Sequence, residues 1–455
     1  CFNRAVAEKA SGSFPANTKC KTIHSLAYAT IGKKYQHKLG DPTVRDVMAG
    51  LGTDKPYLAV LCLEVVASFC HSIHELIGVE HVKDRRVLLK YPELIQMAQH
   101  LWRLMTDFNS PVKMPHDGYL KIWSCARPRI SADVILLDEA QDTNPVALKV
   151  ILDQKNSLRC GVIMVGDTHQ SIYSWRGSID CMTEAASSAD IMHRLTVSFR
   201  FNQEVATNAS KLIAYYKGDH TPITGRGSAT PENESRVTIG RNNGDLISEA
   251  IPLVRDGLTV NFAGTDARSN WDPFFLYDFQ IPLDLWALMD GRPHDVVSPQ
   301  IRAFKDFSEV AEQLAGDQEG DGMDHELRQH LTLAEIYRDQ LPFIIGLLRR
   351  NSVSPHLASH CFSTAHRAKG LEWTHVKMQD NFASLVEAPP PGAFFSRQYL
   401  EEINLIYVSM TRPVREIIYS IALREWLNSP LSSAHANRTS PYPALPPPPI
   451  FLDDK

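Results

Sequence analysis

A chain of 455 residues has room for two or more domains with sizeable cores. With 44% hydrophobic and 22% charged residues it reads as an ordinary globular protein, and it holds no apolar run long enough to span a membrane. The formal charge of -5 excludes a globally basic binder of nucleic acid, so any basic track must be local. Eight cysteines without a CxxC pair or ligand-like spacing predict reduced thiols in an intracellular protein rather than zinc ligands or disulfides.

In chain order, Cys1 to Asn3 reads as the end of a strand and Arg4 to Ala10 as an alanine-rich helix. Cys20 to Tyr28 reads as a short strand feeding a helix capped by Thr22 or Ser25. Thr22, His24 and Ser25 at such a junction suit phosphate contacts of a bound strand or plain helix caps. From about 31 to 130 the pattern is helical, with amphipathic stretches at Leu58 to Ile77 and Leu94 to Phe108. At His116 to Trp123, Gly118 is expected to break a polar turn before a helix whose core face carries Tyr119, Leu120 and Trp123. Lys121 or His116 on a nucleic acid backbone is the functional alternative there.

Val134 to Leu137 predicts a strand buried on both faces, ending in Asp138 and Glu139. Parallel sheets present ligands at the carboxyl ends of their strands. There Asp138 can hold a magnesium ion and Glu139 can orient or deprotonate an attacking water. The bland alternative is a helix whose first turn carries acids to complement its dipole. A helix from about Pro145 to Gln154 follows, then a strand at Gly161 to Val165 that delivers Asp167 and Gln170 to the same edge. Tyr173, Trp175 and Arg176 lie next to that polar cluster, where aromatic faces can stack on unpaired bases or simply pack into a core.

The ordered series AEKA, KTIHSLAY, LLDEAQD, VGDTHQSIYSWRG, LTVSFRF, TAHRAKGLEW and INLIYVSMTR resembles the motifs of superfamily 1 helicases of the UvrD/Rep type. The long helical insertion and the HDGYLK stretch make it most similar to the F-box DNA helicase branch. The resemblance implies an α/β protein with two RecA-like P-loop motor domains, each with parallel sheets and a mainly helical insertion. Residues 1–205 would form the first (insertion about 31–130), 206–430 the second (insertion about 268–351), and 431–455 a proline-rich tail. An acidic loop is expected at 316–324.

By the same resemblance Asp138 and Glu139 are the magnesium and catalytic-base pair, Gln170 and Arg200 meet the γ-phosphate, and Arg412 is the arginine finger. Glu372 holds the ribose, with Gly370 and Asp167 beside the nucleotide. Thr364 and His366 match DNA-contacting positions, and Thr22, His24, Tyr173, Trp175 and Arg176 join them as nucleic-acid-binding residues by their own chemistry. The implied cofactors are ATP and Mg2+. The implied partner is single-stranded DNA, together with repair or recombination proteins and a nuclear setting; no membrane is involved. No F-box lies in these residues, so ubiquitin-ligase partners are not implied.

Two departures bear on activity. Pro413 follows Arg412 and bars it from the α region. No GxxxxGK[ST] loop occurs, and Gly32-Lys33-Lys34 lacks both the glycine spacing and the hydroxyl. The resemblance places that loop before Cys1, so the first motor domain is expected to be incomplete at its N-terminus and the chain inactive alone. The reading from another class is a noncatalytic remnant that binds nucleic acid or a partner through Tyr173, Trp175 and Thr364.

Overall fold

The computed structural model describes residues 4–158, 160–173, 181–186, 189–227, 234–263, 277–302, 304–316, 322–387 and 394–433. It falls into two compact units that meet in sequence between His193 and Arg194.

The first unit opens with α1 (Arg4–Ser13) and α2 (Ile23–Thr30). Thr22 caps α2 by accepting from the Ser25 amide, as the sequence suggested. The short strand expected ahead of it does not form. Thr22 is extended (φ -81°, ψ 154°), but residues 20–22 form no strand among the described residues, and extended backbone without a ladder is not a strand. Helix α3 (Val44–Leu51) carries a capping box between Thr43 and Asp46 and stops at Gly52, whose φ of 64° suits glycine. Next come α4 (Pro56–His71), α5 (Val87–Lys90), α6 (Leu94–Thr106) and α7 (His116–Cys125). The apolar faces of α4, α6 and α7 meet in one core containing Leu58, Val65, Phe69, Leu94, Leu101 and Leu120. Each such side chain, fully buried, contributes about 1.5–3 kcal/mol.

Two expectations at α7 are corrected. Gly118 does not break a turn; it lies inside the helix, where an added Cβ would come within 2.6 Å of Met114 Sδ. Close packing, rather than backbone freedom, selects glycine here. Lys121 is not available to a nucleic acid backbone: it is buried and donates to the carbonyls of Ser72 (2.6 Å) and His74 (2.5 Å) at the end of α4. Tyr119, Leu120 and Trp123 are buried, as the core reading required.

Strands β1 (Val134–Leu137) and β2 (Gly161–Met164) pair in parallel around α8 (Pro145–Leu158), with Leu137 opposite Met164. β1 is not buried on both faces. Ile135, Leu137, Val162 and Met164 are half-buried, whereas Val134 and Leu136 are 52% and 49% exposed. The apolar run suits a fully covered strand, but among the described residues only one face of this two-stranded sheet is covered. Helix α9 (Cys181–Ala186) closes the unit.

The second unit begins with β3 (Val197–Ser198), α10 (Gln203–Lys217) and β4 (Thr224–Gly225), the two short strands pairing in parallel. Its main sheet comprises β5 (Arg236–Gly240), β6 (Val260–Phe262), β7 (His360–Thr364), β8 (Trp373–Met378) and β9 (Pro413–Ile418). All neighbours are parallel, in the order β6-β7-β5-β8-β9. Helix α11 (Asn243–Arg255) follows β5, capped by Asn242, and Arg241 grips Glu402 through three hydrogen bonds of 2.8, 2.9 and 3.2 Å.

Helices α12 (Gln280–Met289), α13 (Pro299–Arg302), α14 (Phe307–Gly316), α15 (Gly322–Tyr337) and α16 (Leu341–Asn351) stand between β6 and β7. Of the expected acidic loop, 317–321 lies outside the described residues, and 322–324 opens α15 rather than a loop. Helices α17 (Ala365–Ala368), α18 (Arg397–Met410) and α19 (Ile421–Asn428) complete the unit. The proline-rich tail lies outside the described residues. Helices and parallel strands together make an α/β protein.

Candidate functional site

At the carboxyl end of β1 and β2 the parallel register sets Asp138 and Glu139 beside the segment leading to Asp167. Val165 N–H donates to Leu137 O (2.8 Å) and Ala140 N–H to Val165 O (3.0 Å), so the two turns are locked together. Glu139 sits in the left-handed region (φ 53°, ψ 44°), a conformation that costs a residue with a Cβ about 1–2 kcal/mol. Gln141 is fully buried; its Nε2 donates to Glu139 Oε2 (2.5 Å) and its Oε1 accepts from Asp167 N–H (3.0 Å). Gln170 Nε2 in turn donates to Asp167 Oδ2 (2.8 Å). Asp138 is exposed, and its carboxylate makes no hydrogen bond or ion pair among the described residues. An exposed carboxylate at the end of a parallel strand is the donor a hard divalent cation requires.

The sequence brought Asp138, Glu139, Asp167 and Gln170 to one edge, and they stand there. What it missed is the clamp. Gln141 ties the turns together, and Gly166 makes room for it: a Cβ at 166 would lie 2.4 Å from Gln141 Oε1. The adjacent VGD and EAQD stretches carried that signal, because a glycine before an acid at a strand's end marks a close approach.

In the second unit, Arg200 and Glu372 meet although 172 positions separate them: Arg200 Nε donates to Glu372 Oε2 at 3.0 Å. They line an open pocket with Ser198, Phe199 and Val414. Both are solvent-accessible, so the pair contributes little stability and can be exchanged for a ligand. Gly370 adopts φ 80° just before Leu371 and Glu372, a turn that glycine makes without strain. Arg412 is almost completely buried after α18; its Nε donates to Val408 O (2.8 Å) and its Nη2 to Thr411 Oγ1 (3.0 Å). Thr364 is buried and caps α17, and His366 is half-buried. Beside them sequence reasoning overlooked Arg367, whose half-buried guanidinium makes no hydrogen bond or ion pair among the described residues. Burial draws it below its ordinary pKa.

Among the remaining expected nucleic-acid positions, the Thr22 hydroxyl is engaged as a cap. His24 Nε2 bonds Asp117 Oδ1 (2.9 Å), and His71 Nε2 bonds Asp117 Oδ2 (3.0 Å). Burial pushes the Asp117 carboxyl up, but the hydrogen bonds from His24 and His71 outweigh it and hold the group well below the usual carboxylate range. Tyr173 is half-buried after the buried Ile172. Trp175 and Arg176 lie outside the described residues.

Residues 93–189 match the UvrD/REP helicase N-terminal domain. The stretch contains β1, β2 and all four acid and amide positions of the first edge. The chain is 27% identical to F-box DNA helicase 1 of Gallus gallus over 468 residues, covering 94% of this chain and 45% of the relative. It is 27% identical to F-box DNA helicase protein 1 of Schizosaccharomyces pombe over 473 residues, covering 92% and 51%. A 96-residue portion is 31% identical to the RecBCD enzyme subunit RecB of Mycobacterium tuberculosis, covering 21% of this chain and 9% of that one. The chain thus spans about half the length of the F-box helicases it matches. Residues 93–189 are thus similar to the UvrD/REP helicase N-terminal domain, and most of the chain is similar to F-box DNA helicases.

Proposed function

We propose that this chain is part of an ATP-dependent translocase on single-stranded DNA, moving 3′ to 5′ and acting in repair or recombination in the nucleus. Its domains would be two RecA-like motor folds, 1–205 and 206–430. The observation that carries the reading is the polar edge of β1 and β2, where Glu139, Asp167 and Gln170 are locked into one cluster through Gln141 and Asp138 stands exposed beside Glu139.

Asp138, exposed at the strand end, would hold the magnesium ion, and Glu139 would take the proton of the attacking water. Magnesium-bound ATP supplies the phosphoanhydride whose cleavage drives the motor. Gln170 would orient against the terminal phosphate, and Arg200 and Glu372 would exchange their mutual pair for the phosphate and the ribose. Arg412 would act as the finger only after leaving its carbonyl partners. Thr22, His24, Tyr173, Trp175, Arg176, Thr364 and His366 would track the DNA.

Two measurements test this. In a longer form of the protein that supplies a GxxxxGK[ST] loop, Glu139→Gln is expected to cut DNA-stimulated hydrolysis by at least a hundredfold; wild-type turnover would overturn the site. The 455 residues alone carry no such loop and are expected to show no strand-stimulated hydrolysis. That same missing loop favours the second reading, a noncatalytic binder. A longer form that binds DNA yet never hydrolyses ATP would establish it.

A further inference from the structure

Outside the nucleotide edge, the loop that leaves α4 gathers His74, Glu80 and His81 so that their ligand atoms lie within 4.8 Å of one another. Glu80 Oε1 is 3.4 Å from His81 Nδ1 and 3.9 Å from His74 Nδ1. Two ligand atoms about 2.05 Å from a tetrahedral ion stand roughly 3.3 Å apart. The Glu80–His81 pair already has that spacing, and His74, with an exposed side chain, closes by a small rotation.

Two further features fit a ligand set. Ser72 Oγ donates to Phe69 O (3.0 Å), so it accepts from His81 Nε2 (2.9 Å). That places the ring proton on Nε2 and the lone pair on Nδ1, facing the cluster. Gly78 leaves room for the carboxylate: its backbone is extended (φ -139°), yet a Cβ there would meet the Glu80 oxygens at 2.4 and 2.6 Å. A side chain at 78 would displace the Glu80 carboxylate from this position.

We infer that His74, Glu80 and His81 form a site for a divalent ion of the zinc class, with water completing the tetrahedron on the exposed side. Two imidazoles and one carboxylate suit a borderline ion and leave calcium or magnesium short of oxygen donors. Two groups oppose binding. Gly78 N–H competes for the Nδ1 lone pair at 3.0 Å and has to yield. The Lys121 ammonium, held by the carbonyls of Ser72 and His74, adds a nearby positive charge that Glu80 offsets. The ion would staple the segment that leaves α4 to the turn of residues 78–81.

The test uses the full chain with Zn2+ alone and with Co2+ as a visible probe. Micromolar Zn2+ is expected to raise Tm, and Co2+ to give the intense visible bands of a four-coordinate ion. His74→Ala and Glu80→Gln, both at exposed positions, should each weaken binding at least tenfold with circular dichroism unchanged. Ser72→Ala, which frees the His81 ring, should weaken it roughly tenfold. Absence of Co2+ bands, or equal binding by His74→Ala and Glu80→Gln, overturns the site. A near-ultraviolet thiolate charge-transfer band also overturns it, since that would assign the ion to cysteine.

Discussion

Glu139 shows what a single residue costs in order to stand where it does. It adopts φ 53° although it carries a Cβ, and its carboxylate is held by Gln141. Glu139→Ala and Glu139→Gly both lose that hydrogen bond, but only glycine relaxes the backbone. The glycine variant is therefore expected to be the more stable of the two by about 1 kcal/mol, the reverse of their order inside a helix. Guanidinium unfolding with equal m-values checks this through the shift in midpoint. Asp117 makes a second case. Hydrogen bonds to a charged group are worth roughly 1.5–3 kcal/mol, but with its side chain 40% exposed about 1 kcal/mol is the better expectation for Asp117→Asn. The folded carboxyl titrates below its unfolded value. Its contribution is therefore fully present above the unfolded pKa of about 3.9 and is lost as the pH falls through the folded value. Urea titrations should find a constant gap between wild type and Asp117→Asn from about pH 5 to 7, narrowing below about pH 4.

Between elements, the register of β1 and β2 is set by backbone bonds, while the turns beyond them depend on Gly166. An alanine there would drive a methyl group into Gln141 Oε1, and the buried amide has little room to retreat. Gly166→Ala is expected to cost about 1–3 kcal/mol. In hydrogen exchange the Asp167 amide, bonded to Gln141, should lose protection, while the Val165 amide, bonded to Leu137 O, keeps it. Equal loss at both would mean that the ladder itself has shifted. How far the sequence reveals such features depends on range. The amphipathic stretches of α4 and α6 were readable because helical period is local, and the α2 cap because Thr22 and Ser25 are neighbours. The edge holding Asp138 and Asp167 was readable because two apolar strands each end in acids. Gly118 was misread because its constraint comes from Met114 packing within a helix, and the burial of β1 because half of its neighbourhood is solvent. The Arg200–Glu372 pair and the Asp117 bridge join residues 172 and 93 positions apart, beyond any local pattern.

For the molecule as a whole, a net charge of -5 determines how it can engage DNA. A chain of this balance has no global field to draw in phosphates, so the proposed binding has to rest on a few local cations and on stacking. Each phosphate neutralised on a single strand contributes a slope of about -0.7 to log K against log salt. Three or four contacts give roughly -2 to -3, against about -7 for a strongly basic groove with ten. Stacking on an aromatic is worth about 1–3 kcal/mol per base and is nearly independent of salt. Tyr173→Ala is therefore expected to weaken binding of a labelled oligonucleotide about 5- to 150-fold without changing the slope, whereas Arg176→Ala should flatten the slope by about 0.7 with a smaller loss. Fluorescence anisotropy between 50 and 200 mM salt separates the two. A wild-type slope steeper than about -5 would move the interface from the aromatic segment after Gln170 to a basic surface elsewhere.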